Sequence, residues 1–136
     1  MAKPNPPLLL DLILCDYTIR EGGTNKPSLI GIFSMLNVQR FPYTFPAFCV
    51  YVALTDGRGQ IPCKLRMLEL ETQREIFALN GGITFNDPIG VAELIFRLQS
   101  LRFDKPGEYA VEFVADGELL GSRKLRVLQA PASPAP

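Results

Sequence analysis

The stretch Glu108-Tyr109-Ala110-Val111-Glu112-Phe113-Val114-Ala115, followed by Asp116-Gly117 and a returning segment over residues 118–128, decides the fold class. Successive side chains of an extended chain point to opposite sides. Tyr109, Val111, Phe113 and Ala115 therefore share one face, and Glu108 and Glu112 share the other. Asp-Gly is a favoured two-residue hairpin connection. After it, Leu125 and Val127 alternate with Lys124 and Arg126. This predicts an antiparallel hairpin with one dry face and one wet face.

Working upstream, apolar segments of strand length recur between turn residues, about eight in the whole chain, the pattern of a sandwich or barrel. The first covers residues 8–20 and ends at Glu21-Gly22-Gly23-Thr24-Asn25-Lys26-Pro27, whose glycines, asparagine and proline supply turn dihedrals. The second covers 28–36, with Gly31 marking a bulge or a close backbone approach. The third, 47–55, is almost unbroken apolar sequence (Phe48-Cys49-Val50-Tyr51-Val52-Ala53-Leu54). A strand of that kind is covered on both faces or contributes to an interface.

Residues 61–71 alternate through Cys63, Leu65 and Met67, then change phase to Leu68 and Leu70, which predicts a β-bulge near Met67-Leu68. A weaker strand over 75–79 is closed by Asn80-Gly81-Gly82. Residues 88–101 read two ways. Val91, Leu94, Ile95, Leu98 and Leu101 have helical spacing behind an Asp87 cap. Leu94, Phe96 and Leu98 also alternate with Glu93, Arg97 and Gln99. Agreement with the neighbouring segments favours strand.

The expected fold is all-β: an antiparallel two-sheet sandwich of about eight strands, immunoglobulin-like or C2-like. A single domain spans 8–129, with a flexible Pro-rich tail at 1–7 and a disordered Ala/Pro-rich tail at 130–136. At 136 residues, 47% hydrophobic and 21% charged, the composition is that of one globular core. The apolar run after Lys3 is broken by Asp11 and lacks a small residue before Cys15. It is too short for a membrane span and reads as a buried first strand of a cytoplasmic protein.

Phe103-Asp104-Lys105-Pro106-Gly107-Glu108-Tyr109 resembles the tyrosine corner of immunoglobulin-like sandwiches, which implies structural roles for Pro106, Gly107 and Tyr109. Val111 stands where such domains carry a cysteine, and there is no tryptophan, so antibody kinship is not implied. Cys15-Asp16-Tyr17, Ser28-Leu29-Ile30-Gly31-Ile32-Phe33, Pro106-Gly107-Glu108-Tyr109 and Asp116-Gly117-Glu118-Leu119-Leu120-Gly121 together resemble a group of small uncharacterised bacterial all-β proteins of unknown function. That resemblance implies the same fold and a bacterial, intracellular setting.

Chemistry is sparse. The absence of histidine removes the commonest general base and metal ligand. Cys15, Cys49 and Cys63 have no ligand spacing and sit in apolar runs, which reads as buried free thiols. No phosphate-cradling loop or nucleophile elbow occurs. Fourteen basic residues balance fourteen acidic ones, so no net field recruits nucleic acid, although Lys64, Arg66, Arg123, Lys124 and Arg126 fall on neighbouring predicted strands.

No catalytic, cofactor or metal residues are expected, and no membrane contact. Asp56, Asp87, Asp104 and Asp116 fall at turns, where ordinary turn chemistry outweighs a calcium role. Asp16, Tyr17 and Arg20 are polar groups in or near an apolar strand and mark either a site or a structural hydrogen bond. The expected function is a non-enzymatic protein-interaction or structural module whose partner is either another protein or another copy of itself. Phe41, Tyr43 and Phe45 of the aromatic connection are either a lid on the core or the interaction surface. The alternative is a ligand-binding sandwich for calcium, lipid or carbohydrate through its end loops. An enzyme resting on carboxylates alone ranks third.

Overall fold

The computed structural model describes residues 6–131. Nine strands are present: β1 (Leu8–Arg20), β2 (Pro27–Ile32), β3 (Met35–Val38), β4 (Tyr43–Thr55), β5 (Gly59–Glu69), β6 (Glu75–Phe85), β7 (Ala92–Phe103), β8 (Gly107–Ala115) and β9 (Glu118–Gln129). They form a smaller sheet in the order β2-β1-β4-β7 and a larger one in the order β3-β9-β8-β5-β6. Most of the two Pro-rich tails expected at 1–7 and 130–136 lies outside the described residues. Of the first, Pro6 is half-buried and Pro7 buried.

The smaller sheet is antiparallel throughout. The larger is mixed, because β3 runs parallel to β9, with Met35 opposite Arg126 and Val38 opposite Gln129. The expected count of eight antiparallel strands is thus corrected to nine with one parallel pair. The extra strand comes from the segment 28–36, which breaks after Ile32. Gly31 adopts a φ of +72°, a left-handed conformation that favours glycine, and its missing side chain leaves room for the Asp16 carboxylate. Past Phe33 the chain leaves the smaller sheet, and β3 joins the larger one.

Two expected connections are also strand. Tyr43 to Pro46 belong to β4 and pair with the end of β7, Tyr43 opposite Phe103 and Phe45 opposite Leu101. Pairing with β1 stops at Cys15 opposite Cys49, so Pro46 sits where β4 has an open edge that does not need its missing donor. Asn80-Gly81-Gly82 continue β6 along the edge of the larger sheet, opposite Lys64, Cys63 and Pro62. The segment that read two ways is strand β7. Asp87 instead builds a tight turn, its Oδ1 accepting from the Ile89 amide at 3.1 Å and its carbonyl accepting from the Gly90 amide at 3.1 Å.

The inner faces of both sheets form one hydrophobic cluster that includes Leu14, Val50, Val52, Leu65, Val111, Phe113 and Leu125. Rings bridge the sheets: Phe96 of β7 lies 6.4 Å from Phe113 of β8, and Phe103 of β7 meets Tyr109 of β8 edge-on at 5.0 Å. Each fully buried Leu, Val or Phe contributes about 1.5–3 kcal/mol relative to exposure.

The register of β5 against β6 shifts between Met67 and Leu68, where the bulge is expected. The change of phase that suggested it does not occur. Against β8, β5 keeps its register through Glu69 opposite Tyr109, so the extra residue is absorbed on the edge side alone. Glu69 is buried and Leu68 half-buried as a result.

Candidate interaction surface

Residues directly opposite one another in a sheet project to the same side, so the register assigns each outer face. On the smaller sheet the middle row is Ile13, Tyr51 and Ile95. To one side lies the row Asp11, Ala53 and Glu93. To the other lies Ile32, Cys15, Cys49 and Arg97. Beyond that, Tyr17 is opposite Ile30 and Ile19 opposite Ser28.

This outer face is apolar except at its rim. Tyr17, Ile19 and Ile32 are 52%, 51% and 57% exposed. Cys15, Cys49 and Ala53 are buried but do not belong to the inner core cluster, so their apolar neighbours on the outside cover them. The Tyr51 hydroxyl donates a hydrogen bond to Glu93. Burial first, then that hydrogen bond and the charges of Glu93 and Asp11, against a smaller opposing pull from Arg20, push the phenol up to about 12. Arg97 is exposed and has no ion-pair partner among the described residues.

The larger sheet presents the opposite chemistry. Arg66 Nε donates to Glu112 Oε1 at 2.7 Å, Lys64 Nζ lies 3.5 Å from Glu75, and Arg126 Nε lies 3.8 Å from Glu108. Three of the five basic residues noted in the sequence therefore face a carboxylate on an adjacent strand.

Phe41, Tyr43 and Phe45 are half-buried and pack against the core. Phe45 joins Phe33 at 5.9 Å and Phe48 at 5.4 Å, and Tyr43 meets Phe45 at 6.2 Å. Asp16 is exposed beside Gly31, while Arg20 Nη1 donates to the Asn25 carbonyl at 3.0 Å across the β1–β2 turn. They make no contact with each other that would form a site. All three thiols are free and buried, and burial pushes the Cys63 thiol up to about 11.

At one end of the sandwich the Tyr109 hydroxyl donates to the Lys105 carbonyl at 2.9 Å, in a corner begun by Pro106 and Gly107. Beside it Glu69, 3% exposed, accepts from Thr72 Oγ1 at 3.2 Å and pairs with Lys105 Nζ at 3.2 Å and Arg74 Nη2 at 3.6 Å. Burial alone would raise the Glu69 carboxyl. The hydrogen bonds from Lys105 and Thr72 and the two positive charges outweigh it and hold the group below the usual carboxylate value. Asp104 is also lowered, first by the 2.7 Å bond from Arg102. These groups are held ionised and clasp the β5–β6 and β7–β8 turns, an arrangement that stores no proton to donate.

At the other end Asp116 and Gly117 have φ of 51° and 80°, as a primed hairpin turn requires. The Asp56 amide donates to the Pro88 carbonyl at 2.9 Å, and the Asp116 amide to Pro62 at 2.9 Å. Among the described residues no group of three or more His, Cys, Asp or Glu is placed to hold a metal ion. Among the described residues no helix is long and apolar enough to cross a membrane.

Ile30, Ile32, Glu93 and Arg97 were not singled out by sequence reasoning, and neither was Glu69. The signal for the outer face was available in the unbroken run 48–54, whose outward positions Cys49, Tyr51 and Ala53 are as apolar as its inward ones. No local signal distinguishes Glu69 from the exposed Glu71.

A protein-family model described as a family of unknown function, DUF6941, matches residues 10–128. No curated protein matches the chain. Among solved structures, one similar chain is the alkylpurine DNA glycosylase AlkC of Pseudomonas fluorescens bound to DNA containing an abasic-site analogue. Identity is 12% and the TM-score 0.48, over 69% of this chain and 27% of that one. Another is the sensor domain of the anti-sigma factor RsgI4 of Pseudobacteroides cellulosolvens, at 11% identity and a TM-score of 0.43, over 75% of this chain and 94% of that one.

Proposed function

We propose that this chain, which belongs to DUF6941, a family of unknown function, is a non-enzymatic protein-interaction module that docks through the outer face of its smaller sheet. The observation that carries the reading is the continuous apolar outer face running from Ile30 and Ile32 through Tyr17, Ile19 and Ile13 to Tyr51 and Ile95. Single exposed apolar residues are ordinary, but a contiguous apolar patch with a polar rim marks an interaction site. Asp11, Glu93 and Arg97 supply that rim. The aromatic residues Phe41, Tyr43 and Phe45, packed on the core, act as a lid, and the docking role passes to the sheet.

The architecture is read as immunoglobulin-like. Support comes from the β4–β7 pair facing β5, β8 and β9, from the parallel β3–β9 pair, and from the Tyr109 corner. A cytoplasmic setting accords with three free thiols.

A photo-activatable cross-linking residue placed at Tyr17, and separately at Glu112 on the larger sheet, tests the assignment in cells. Discrete adducts from the Tyr17 position and none from Glu112 support it. Absence of adducts at Tyr17, or equal labelling from both positions, overturns it.

A further inference from the structure

We propose that the partner on this face is a second copy of the chain, packed back to back so that a two-fold axis runs along the row Ile13, Tyr51 and Ile95. The inference rests on the reading of the smaller sheet as a docking surface and names its occupant.

The charges on the face are antisymmetric about that row. Glu93 lies one row to one side and Arg97 one row to the other, both on β7. A two-fold axis in the plane of the interface, perpendicular to the strands, turns one row onto the other. Glu93 of each copy then lies over the partner's Arg97, and two ion pairs form per dimer, as an isologous contact requires. Among the described residues Arg97 has no ion-pair partner within its own chain, whereas Arg66, Lys64 and Arg126 of the larger sheet each have one.

The uncharged positions of β1 and β4 match under the same operation, while Ile30 and Ile32 of β2 have no strand opposite them. The middle row meets its own copy, apolar on apolar. Ala53 meets the partner's Cys49, small against small, and Leu8, opposite Thr55 two rows out, meets the partner's Tyr17. Leu8 is 54% exposed in the single chain. Asp11 meets the partner's Cys15 beside the partner's Ile32, and of the charged positions in these rows it is the one that the operation leaves without an opposite charge.

Size is adequate. Strands about 4.8 Å apart and same-face side chains about 7 Å apart give a face of β1, β4 and β7 over five rows on the order of 500 Å² per copy, about 1,000 Å² in total. That is the lower end of a specific interface. Two sheets stacked this way also keep their strands within about 30° of alignment, the usual geometry of sheet-on-sheet packing.

Sedimentation equilibrium of the purified full chain tests the proposal. The wild-type protein is expected to weigh twice the 15.1 kDa chain mass at micromolar concentration. Arg97→Glu and Glu93→Arg, each of which sets like charges against each other, are expected to weaken association at least tenfold. The double swap Glu93→Arg with Arg97→Glu is expected to recover most of it, with unchanged circular dichroism in all four proteins.

A wild-type monomer at 100-fold higher concentration overturns the proposal, and so does a double swap as weak as the single variants. If the purified chain is monomeric while the Tyr17 cross-linker captures a heavier, different protein in cells, the second-copy inference falls and the docking face stands. If that position captures nothing, both fall.

Discussion

The two outer faces of this sandwich are built on the same kind of ladder and solve opposite problems. On the larger sheet, β5 alternates strictly, with Ile61, Cys63, Leu65, Met67 and Glu69 buried and the residues between them more exposed. Its outward positions carry Lys64 and Arg66, each facing a carboxylate on the next strand. On the smaller sheet, β4 does not alternate: Phe48, Cys49 and Val50 are all buried, as are Val52, Ala53 and Leu54. The period of two is a property of the backbone, so a strand that loses its polar half has two dry sides. The difference teaches that burial without alternation, in a sheet with nothing packed on its outside among the described residues, is the feature on which the proposed docking role rests.

The largest test of this contrast is to remove what the two sheets share. Phe113→Ala deletes a fully buried ring that meets Phe96 across the interior, and denaturant unfolding is expected to show a loss of about 3–5 kcal/mol. A loss below about 1 kcal/mol would mean that the inner faces do not form one core and that the outer faces cannot be compared as two sides of one unit.

A smaller effect separates the sheets by pH. Glu69 belongs to the larger sheet and is held below the usual carboxylate value, and the smaller sheet has no buried carboxylate. A depressed carboxyl adds stability that is present above its unfolded value and is lost as pH falls through the folded one. The wild-type protein is therefore expected to lose stability steadily below about pH 4.5. Glu69→Gln is expected to be less stable at neutral pH and to show a flatter acid limb. Parallel acid limbs would assign the acid sensitivity elsewhere.

The smallest effect lies on the wet face itself. Arg66 and Glu112 are close but partly exposed, so a double-mutant cycle with alanine is expected to give a coupling of about 0.2–1 kcal/mol. The pair's importance is solvation of the face rather than stability. Replacing it by Met and Leu is expected to leave the midpoint nearly unchanged and to lower solubility, so that the larger sheet comes to resemble the smaller.

Much of this was legible in the residues. The 108–128 hairpin and the bounds of β1 follow from period-two alternation and turn chemistry, which are local properties. The strand nature of β7 follows from agreement with its neighbours, and the bulge beside Met67 lies where it is expected although the phase change that suggested it is absent. What was not legible is what depends on partners distant in sequence. β3 is four residues long and carries no signal that it would cross to the other sheet. Glu69 looks like any outward glutamate until β8 fixes its register and Lys105 and Arg74 arrive to receive it. The site was half legible: Cys49, Tyr51 and Ala53 announced a second dry side, but only the pairing of β1 with β2 adds Ile30 and Ile32 to it.

The parallel clasp of β3 on β9 sets an order of events. The Arg126 amide reaches Ser34 at 3.0 Å and the Ala130 amide reaches Val38 at 2.8 Å, so the early strand is sealed at both ends by the last of the nine to leave the ribosome. Closure of so long a loop is slow. During translation β3 therefore waits without its sheet partner until the final strand emerges, an interval in which an unpaired edge is open to misassociation.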